Sequence, residues 1–182
     1  ALGKAISNFV ELADQYTSEG PNTSYNVGVI SGGTSITSIP FESVMQIDIR
    51  SVEPKRLDVM EAYLTTAVEE ALAHQNKTKR HGPELTVSID KIGNRPSGEL
   101  SDQLPLVQRT LAATQAFGVQ PFLTRGSTNS NIPIAQGIPA VTIGRGGDGG
   151  KAHSLDEWWT NKEGHKAIQL ALLILLMESG ME

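Results

Sequence analysis

Residues 43–51 alternate between apolar and polar side chains, and this alternation constrains the fold more than any other feature of the chain. Met45, Ile47 and Ile49 fall on one side of an extended backbone, and the polar residues between them fall on the other. A period of two is typical of a β-strand in a sheet with one covered face. The pattern therefore predicts a sheet that packs on one face and meets solvent on the other.

Helical patterns flank this strand. Residues 1–16 place Ile6, Phe9, Val10 and Ala13 on one face. A second helix begins at Glu53-Pro54, since proline is tolerated at a helix start. Its apolar stripe consists of Leu57, Met60, Leu64, Val68 and Ala71.

Further strands are predicted over residues 26–31 and 85–89, which gives the order α-β-β-α-β. One more strand in front would complete a ferredoxin-like β-α-β-β-α-β unit. We therefore predict an α+β, ferredoxin-like domain over residues 1–95 that lacks its first strand. Because the chain begins inside a helical pattern, we expect upstream sequence to be missing.

The pattern changes after residues 93–98, which we interpret as a hinge or linker. Helices are predicted over 103–117, 131–136 and 161–179, and strands over 119–123 and 138–144. The last of these strands is almost continuously apolar, as in a parallel sheet that is covered on both faces. We therefore predict a second, α/β segment over residues 96–182.

The composition excludes several functional classes. A hydrophobic content of 38% and a charged content of 19% favour a packed core over global disorder. The net charge of -5 gives no basic field, so we expect no nucleic-acid partner. The absence of cysteine excludes disulfides and thiolate catalysis and fits the cytoplasmic location that we expect. The longest apolar run, residues 170–177, is too short to span a bilayer, so no membrane partner is expected.

Residues 144–149 match the pattern G-x-G-x-x-G and follow a predicted strand. A dinucleotide site also needs a helix to open at once, so that its N-terminus can hold the pyrophosphate. No helix is predicted directly after this loop, which makes nucleotide binding the weaker interpretation. A phosphate-binding Walker A loop is excluded, because Arg145 occupies its first glycine position and Ala152 its magnesium-binding position.

His153 follows the glycine loop, with two acids close behind it. Neutral imidazole is a common zinc ligand, and Asp156 or Glu157 could orient the ring. One histidine is not a zinc site, because zinc requires at least three protein ligands. The residues alone leave open a metal ligand and an ordinary surface histidine. Trp158 and Trp159 are interpreted as packing at the base of the loop.

Arg125, Ser127, Thr128 and Asn131 cluster between a predicted strand end and a helix start. One interpretation is turn and helix-capping chemistry. The other is a substrate site in which Arg125 grips a carboxylate through a bidentate contact.

Motifs along the whole chain, taken in order, resemble the M20 family of zinc-dependent metallopeptidases and amidohydrolases. Those of the first half are residues 26–28, 32–40 and 48–50, and they are similar to the family's lid, or dimerisation, domain. Those of the second half are residues 126–131, 137–140 and 149–158, and they are similar to the end of its catalytic domain.

The resemblance implies roles by position. His153 is similar to the last ligand of the family's two-zinc site, and Arg125 to the arginine that holds a substrate carboxylate. The backbone of Gly149 and Gly150 would line that pocket, and Asn131 is expected beside it.

Two positions depart from the family pattern. Thr37 stands where many members have a lid asparagine that contacts substrate, and Asn129 where the usual motif has aspartate. Thr37 is nevertheless expected to contact substrate.

The family's other metal ligands, its bridging aspartate and its general-base glutamate would lie upstream of residue 1. In such a site two zinc ions activate a shared water, and the glutamate takes its proton. We therefore expect this chain to be part of a di-zinc hydrolase that cleaves peptide or N-acyl amide bonds next to a free carboxylate. Alone, it is expected to be inactive and not to retain zinc.

The expected partners are a small peptide or N-acyl amino acid substrate and a second copy of the chain. The homodimer is expected to form through a free sheet edge or helix of the lid domain. The alternatives are a non-catalytic dimerisation or binding module and, less favoured, a nucleotide-binding α/β domain.

Overall fold

The computed structural model describes residues 1–180. The chain divides into two units, Ala1–Asn94 and Arg95–Glu182. The division lies one residue from the expected domain boundary between residues 95 and 96. Each unit has its own secondary structure and is described separately.

The first unit contains two helices and a two-stranded sheet. In chain order these are α1 (Leu2–Thr17), β1 (Thr23–Gly32), β2 (Ser43–Ser51) and α2 (Pro54–Thr78). The strands pair antiparallel along their whole length, with one irregularity between Val27 and Val29. Both predicted helices are confirmed, as is the strand predicted over residues 43–51, and β1 is longer than the predicted strand.

The apolar face of this sheet packs against the two helices. Ile47 and Ile49 contact a core that contains Phe9 and Met60, both fully buried. Met45 contacts a second cluster of Ala5, Val68 and Ala71. The alternating apolar side chains of β2 and the apolar stripe of α2 therefore pack together in one helix-on-sheet interface. The strand period and the helix period both place apolar side chains on this interface.

Arg56, in the first turn of α2, is a buried charged residue that the periodicity did not reveal. Its Nε donates to Thr23 Oγ1 at 2.6 Å, and its Nη2 donates to the carbonyl oxygens of Tyr16 at 2.6 Å and Glu19 at 2.9 Å. Its Cζ lies 4.0 Å from the centroid of the Tyr16 ring. Gly20 leaves space for the guanidinium, since a Cβ there would lie 2.7 Å from Nη1. Arg56 thus joins the end of α1, the start of β1 and the start of α2.

The strand predicted over residues 85–89 is not formed among the described residues. The Asn76 side chain bonds both backbone groups of Leu85, accepting from its N at 2.8 Å and donating to its O at 3.0 Å. Lys91 pairs with Glu61 at 2.5 Å. The segment therefore runs back along α2. It does not pair with the free edge of β1 or of β2, so no ladder forms.

Within residues 95–180, the second unit contains three helices and one short antiparallel sheet. In chain order these are α3 (Pro105–Ala116), α4 (Asn131–Ala135), β3 (Asp148–Gly150), β4 (Trp158–Thr160) and α5 (His165–Ser179). Helices α3 and α5 pack together around Val107, Ala113 and Ile174. Arg109 holds Glu178 through two hydrogen bonds. The three predicted helices are confirmed, with α5 beginning later than expected.

The parallel sheet expected in this unit is not formed among residues 95–180. Residues 119–123 and 138–144 lie outside any strand, and the only sheet described in this unit is the antiparallel pair β3–β4. Several of their apolar side chains are exposed, including Val119 at 55% and Phe122 at 82%, whereas Val141 and Ile143 are half-buried. The sequence pattern identified apolar segments suited to a sheet, but a ladder also needs partner strands.

Within residues 1–180, no helix combines the length and the apolar character that crossing a bilayer requires.

The Tyr25 hydroxyl gives the first unit a testable pH dependence. Burial, the hydrogen bond that it donates to Asp14 Oδ1 at 2.5 Å and the charge of that carboxylate together raise the pKa of Tyr25 from 10.0 to about 12. The folded chain therefore holds this proton more tightly than the unfolded chain. The resulting stability is present below pH 10.0 and is lost as the pH rises towards about 12.

We expect Tyr25→Phe to flatten the fall in unfolding free energy over that alkaline range, as measured by urea denaturation. Asp14→Asn is the matched variant, because it keeps the half-buried phenol and removes the charge, and it should reduce the slope by less. An unchanged slope in Tyr25→Phe would assign the alkaline loss to another group.

Candidate functional site

The glycine-rich loop is held by two tryptophans on β4. Strand β3 pairs antiparallel with β4, so that Gly149 faces Trp159 and Gly150 faces Trp158. A Cβ at Gly150 would lie 2.9 Å from Trp158 Nε1, so the indole occupies the space that a side chain would need. Trp159 Nε1 donates to the Gly146 carbonyl oxygen at 3.0 Å. As predicted, both tryptophans pack at the base of the loop.

This loop borders an open surface cleft of about 430 Å³. Half of its ten lining residues are glycines, and its charged lining residues are Arg145, Lys151 and Glu157. Gly149 and Gly150, the two glycines expected in a substrate pocket, both line it. Their contact with substrate stays a prediction.

His153 lies just beyond the cleft with an exposed side chain and a left-handed backbone, φ 66°. Lys151 is also left-handed, at φ 54°. Such a conformation costs a residue with a Cβ roughly 1 kcal/mol or more. Glu157 Oε2 accepts a hydrogen bond from the His153 backbone N at 3.1 Å, and Asp156 pairs with Lys151 at 3.1 Å. The two acids therefore fix the turn, and neither of these contacts involves the imidazole.

A complete zinc site is not formed by the described residues. Among residues 1–180, no group of three or more His, Cys, Asp or Glu side chains is placed to hold a metal ion. Zinc sites use at least three protein ligands. The chain thus offers His153 as a single candidate ligand, and its role stays a prediction.

Arg125 and Asn131 belong to a different part of the second unit and do not line the cleft. The Arg125 side chain is 79% exposed and lies 3.9 Å from Glu99. Asn131 Oδ1 accepts from the Thr128 backbone N at 2.8 Å, and its Nδ2 donates to the Pro96 carbonyl oxygen at 3.0 Å. Asn131 therefore performs the turn chemistry that was one of its two interpretations, and substrate binding by either residue stays a prediction.

Thr37 lies in the first unit, in the exposed loop between β1 and β2. Its backbone N donates to Ser35 Oγ at 3.3 Å, and its hydroxyl lies 3.2 Å from the same atom. These contacts order the loop locally. Contact between Thr37 and substrate also stays a prediction.

The geometry after the glycine loop does not suit a dinucleotide. The chain passes from the loop into β3, and the next helix, α5, begins only at His165. The helix N-terminus that would hold a pyrophosphate therefore does not follow the loop directly. This agrees with the sequence analysis, in which nucleotide binding is the weaker interpretation of the glycine loop.

Arg145 lines this cleft, and the sequence did not indicate its position there. Its Cζ lies 5.7 Å from the centroid of the Trp159 ring, within the range of a cation–π contact. The only sequence signal is that this arginine stands among the glycines of residues 144–150.

Gly147 tests how closely the tryptophans hold the loop. Its φ is +74°, and a Cβ there would lie 2.5 Å from the Thr160 carbonyl oxygen and 2.6 Å from Trp159 Nε1. Gly118 is the matched control, because its φ is +76° and a Cβ there would meet nothing within 4 Å. Both substitutions to alanine should cost about 1–2 kcal/mol for the left-handed backbone.

Gly147→Ala should destabilise the second unit well beyond Gly118→Ala, because it also displaces β4. Thermal unfolding followed by tryptophan emission measures this, since the chain's two tryptophans both lie on β4. Equal losses for the two variants would show that the indole does not constrain the loop.

The comparisons with known proteins agree with the geometry of the first unit. No curated protein matched the chain. Residues 1–76 match a family model described as peptidase dimerisation domain, M20_dimer. This range contains α1, β1, β2 and nearly all of α2. The first unit is therefore similar to the dimerisation domain of M20 peptidases, which supports the relationship of the chain to that family.

Proposed function

We propose that this chain is part of an M20-type peptidase or amidohydrolase and that it forms a homodimer through its first unit. The observation that carries the proposal is the match of residues 1–76 to a peptidase dimerisation domain. The α+β structure of the first unit supports it, because its sheet has a covered face and a free edge.

We propose that the edge on β1, one of the two free edges of this sheet, forms the contact. This strand pairs only with β2 among the described residues, so the backbone groups on its other side lack a strand partner. Val29 and Ile30 lie on it with 44% and 60% of their surface exposed. An edge of this kind can pair with the same edge of a second copy, which continues the sheet across the dimer.

The reaction that we propose for the whole enzyme is hydrolysis of a peptide or N-acyl amide bond next to a free carboxylate. The glycine-walled cleft supports an anionic substrate group, since two of its three charged lining residues are basic. In a two-zinc site His153 would supply one ligand, and the others would come from residues outside these 182. The substrate would be a small peptide or an N-acyl amino acid.

A non-catalytic dimerisation module is the alternative. The observation that favours it is that the family match covers the dimerisation domain and ends at residue 76. Both proposals include the homodimer, which a dimerisation experiment tests. Measurement of the zinc content distinguishes the enzyme from the non-catalytic module.

Ile30→Lys should weaken the dimer, because it places a charge on the edge that we propose to pair. We expect the wild-type chain to sediment as a dimer and the variant to dissociate about tenfold more readily or more. Ile92→Lys is the control: Ile92 belongs to the same unit, is 86% exposed and lies far from β1 in sequence. A monomeric wild type, or equal effects of the two lysines, would contradict the proposed dimer.

The chain alone should retain far less than one zinc ion per molecule after dialysis, because it offers a single candidate ligand. Expressed within its complete coding sequence, it should retain zinc, and His153→Ala should lower that content while His81→Ala leaves it unchanged. Elemental analysis measures both. Stoichiometric zinc in the chain alone would contradict the ligand assignment, and a complete protein without zinc would favour the non-catalytic module.

A further inference from the structure

A second open surface cleft, of about 510 Å³, lies in the first unit, where the end of α1 meets the start of α2. The residues proposed above for substrate or metal binding do not line it. Its lining contains two charged residues, the cation Arg56 and the acid Glu19. The cleft therefore presents one positive and one negative group to a ligand.

Arg56 brings to this cleft a buried charge that has no anionic partner among residues 1–180. Only 9% of its surface is exposed, and no carboxylate of the described chain lies within ion-pair distance of it. Buried charges are normally paired, because burial removes their hydration. The three hydrogen bonds of the guanidinium all go to uncharged oxygens. Its charge is therefore available to an anionic ligand.

One end of this guanidinium is open to the cleft. Nη1 donates to none of the described residues, and since no buried side-chain nitrogen among them lacks a partner, this atom reaches solvent. Gly20 leaves it uncovered, because a Cβ there would lie 2.7 Å away. Nε and Nη2 are both bonded, so the group is held in place before a ligand arrives, which lowers the entropy that binding costs. Such a donor is suited to a carboxylate.

The acid of the cleft and the end of α1 favour a cation. Glu19 is exposed and forms no ion pair within the described part of the chain. Its carbonyl oxygen accepts from Arg56 Nη2 at 2.9 Å, which holds the Glu19 backbone against the guanidinium. The carbonyl groups at a helix C-terminus add partial negative charge. An ammonium group would therefore be stabilised beside the site for the carboxylate.

Two tyrosines give the cleft an apolar wall. The half-buried rings of Tyr16 and Tyr63 meet edge to face, with their centroids 5.5 Å apart, and Leu12 lines the cleft with them. Aromatic rings contribute a large apolar contact area. An apolar side chain of a ligand can pack on this wall.

We propose that this cleft binds a free α-amino acid with an apolar side chain, whose carboxylate contacts Arg56 and whose ammonium group contacts Glu19. Such a molecule carries both charges on one carbon atom, which suits two protein groups that lie in one cleft without pairing directly. A simple anion would be repelled by Glu19, and a simple amine would leave Arg56 unpaired. The site is separate from the second unit and from the reaction proposed for the whole enzyme.

The backbone amide of Gly20 is a local probe, because Gly20 lines the cleft beside Nη1. Its signal can be followed by two-dimensional NMR while L-phenylalanine is added to the whole 182-residue chain. We expect a saturable shift at Gly20 and none at Gly149, which lies in the second unit.

Two derivatives of the ligand test the two charges separately. N-acetyl-L-phenylalanine lacks the ammonium group, and L-phenylalaninamide lacks the carboxylate. Each should bind about tenfold more weakly or worse, because one charge-assisted contact is lost. The amide tests the role of Arg56 without a substitution, which matters because Arg56 also joins three elements of the fold.

Glu19→Gln should weaken the binding of L-phenylalanine by about tenfold or more, because the ammonium group loses its carboxylate partner. Glu11→Gln is the matched control and should bind as the wild type does. Glu11 is an exposed acid of α1 that does not line the cleft. Thermal unfolding of both variants shows whether the first unit is intact.

Equal binding of L-phenylalanine and either derivative would overturn the proposal, as would unchanged binding in Glu19→Gln. Tighter binding of N-acetyl-L-phenylalanine than of L-phenylalanine would overturn it in favour of a simple anion site. The absence of a saturable shift at Gly20 with both L-phenylalanine and L-leucine at millimolar concentration would also contradict it. These results do not depend on dimerisation or zinc content, so failure here is distinguishable from failure of the proposed function.

Discussion

The first unit depends on one buried guanidinium. Arg56 reaches back from the start of α2 to two carbonyl oxygens at the end of α1 and to the first residue of β1. Those carbonyls carry the partial negative charge of a helix C-terminus, which a cation complements. Hydrogen bonds to a charged group contribute about 1.5–3 kcal/mol each. Arg56 therefore ties together α1, β1 and α2, the elements that surround the core of Phe9 and Met60.

The sequence predicted the elements whose signal is local. The period of two in residues 43–51 gave β2 with its observed bounds, and the apolar stripes gave both long helices. It did not predict Arg56, because nothing in the periodicity distinguishes an arginine that folds back onto a neighbouring helix from one that extends into solvent. The strands over 85–89, 119–123 and 138–144 were wrong for a related reason. Apolar alternation describes a segment suited to a sheet, whereas a ladder depends on partners elsewhere.

The candidate site, like the fold, was predicted only in part from the sequence. The sequence indicated a functional loop at residues 144–153, and the structure gives that loop a cleft, two left-handed non-glycine residues and supporting indoles. The spacing of residues along the sequence does not show which contacts the charged side chains of this loop make. Asp156 and Glu157 were candidates to orient His153, yet the contacts they make fix the backbone of the turn.

The two units differ in how completely they bury their apolar surface. Seven apolar residues are buried within the described part of the first unit, against Val107, Ala113 and Ile174 within residues 95–180. In α5, Ile168, Leu172 and Leu175 are all more than half exposed and recur at helical spacing, which is the pattern of a face that normally packs. The cleft therefore belongs to the unit with fewer buried apolar residues. The unit that is similar to a dimerisation domain buries more of them.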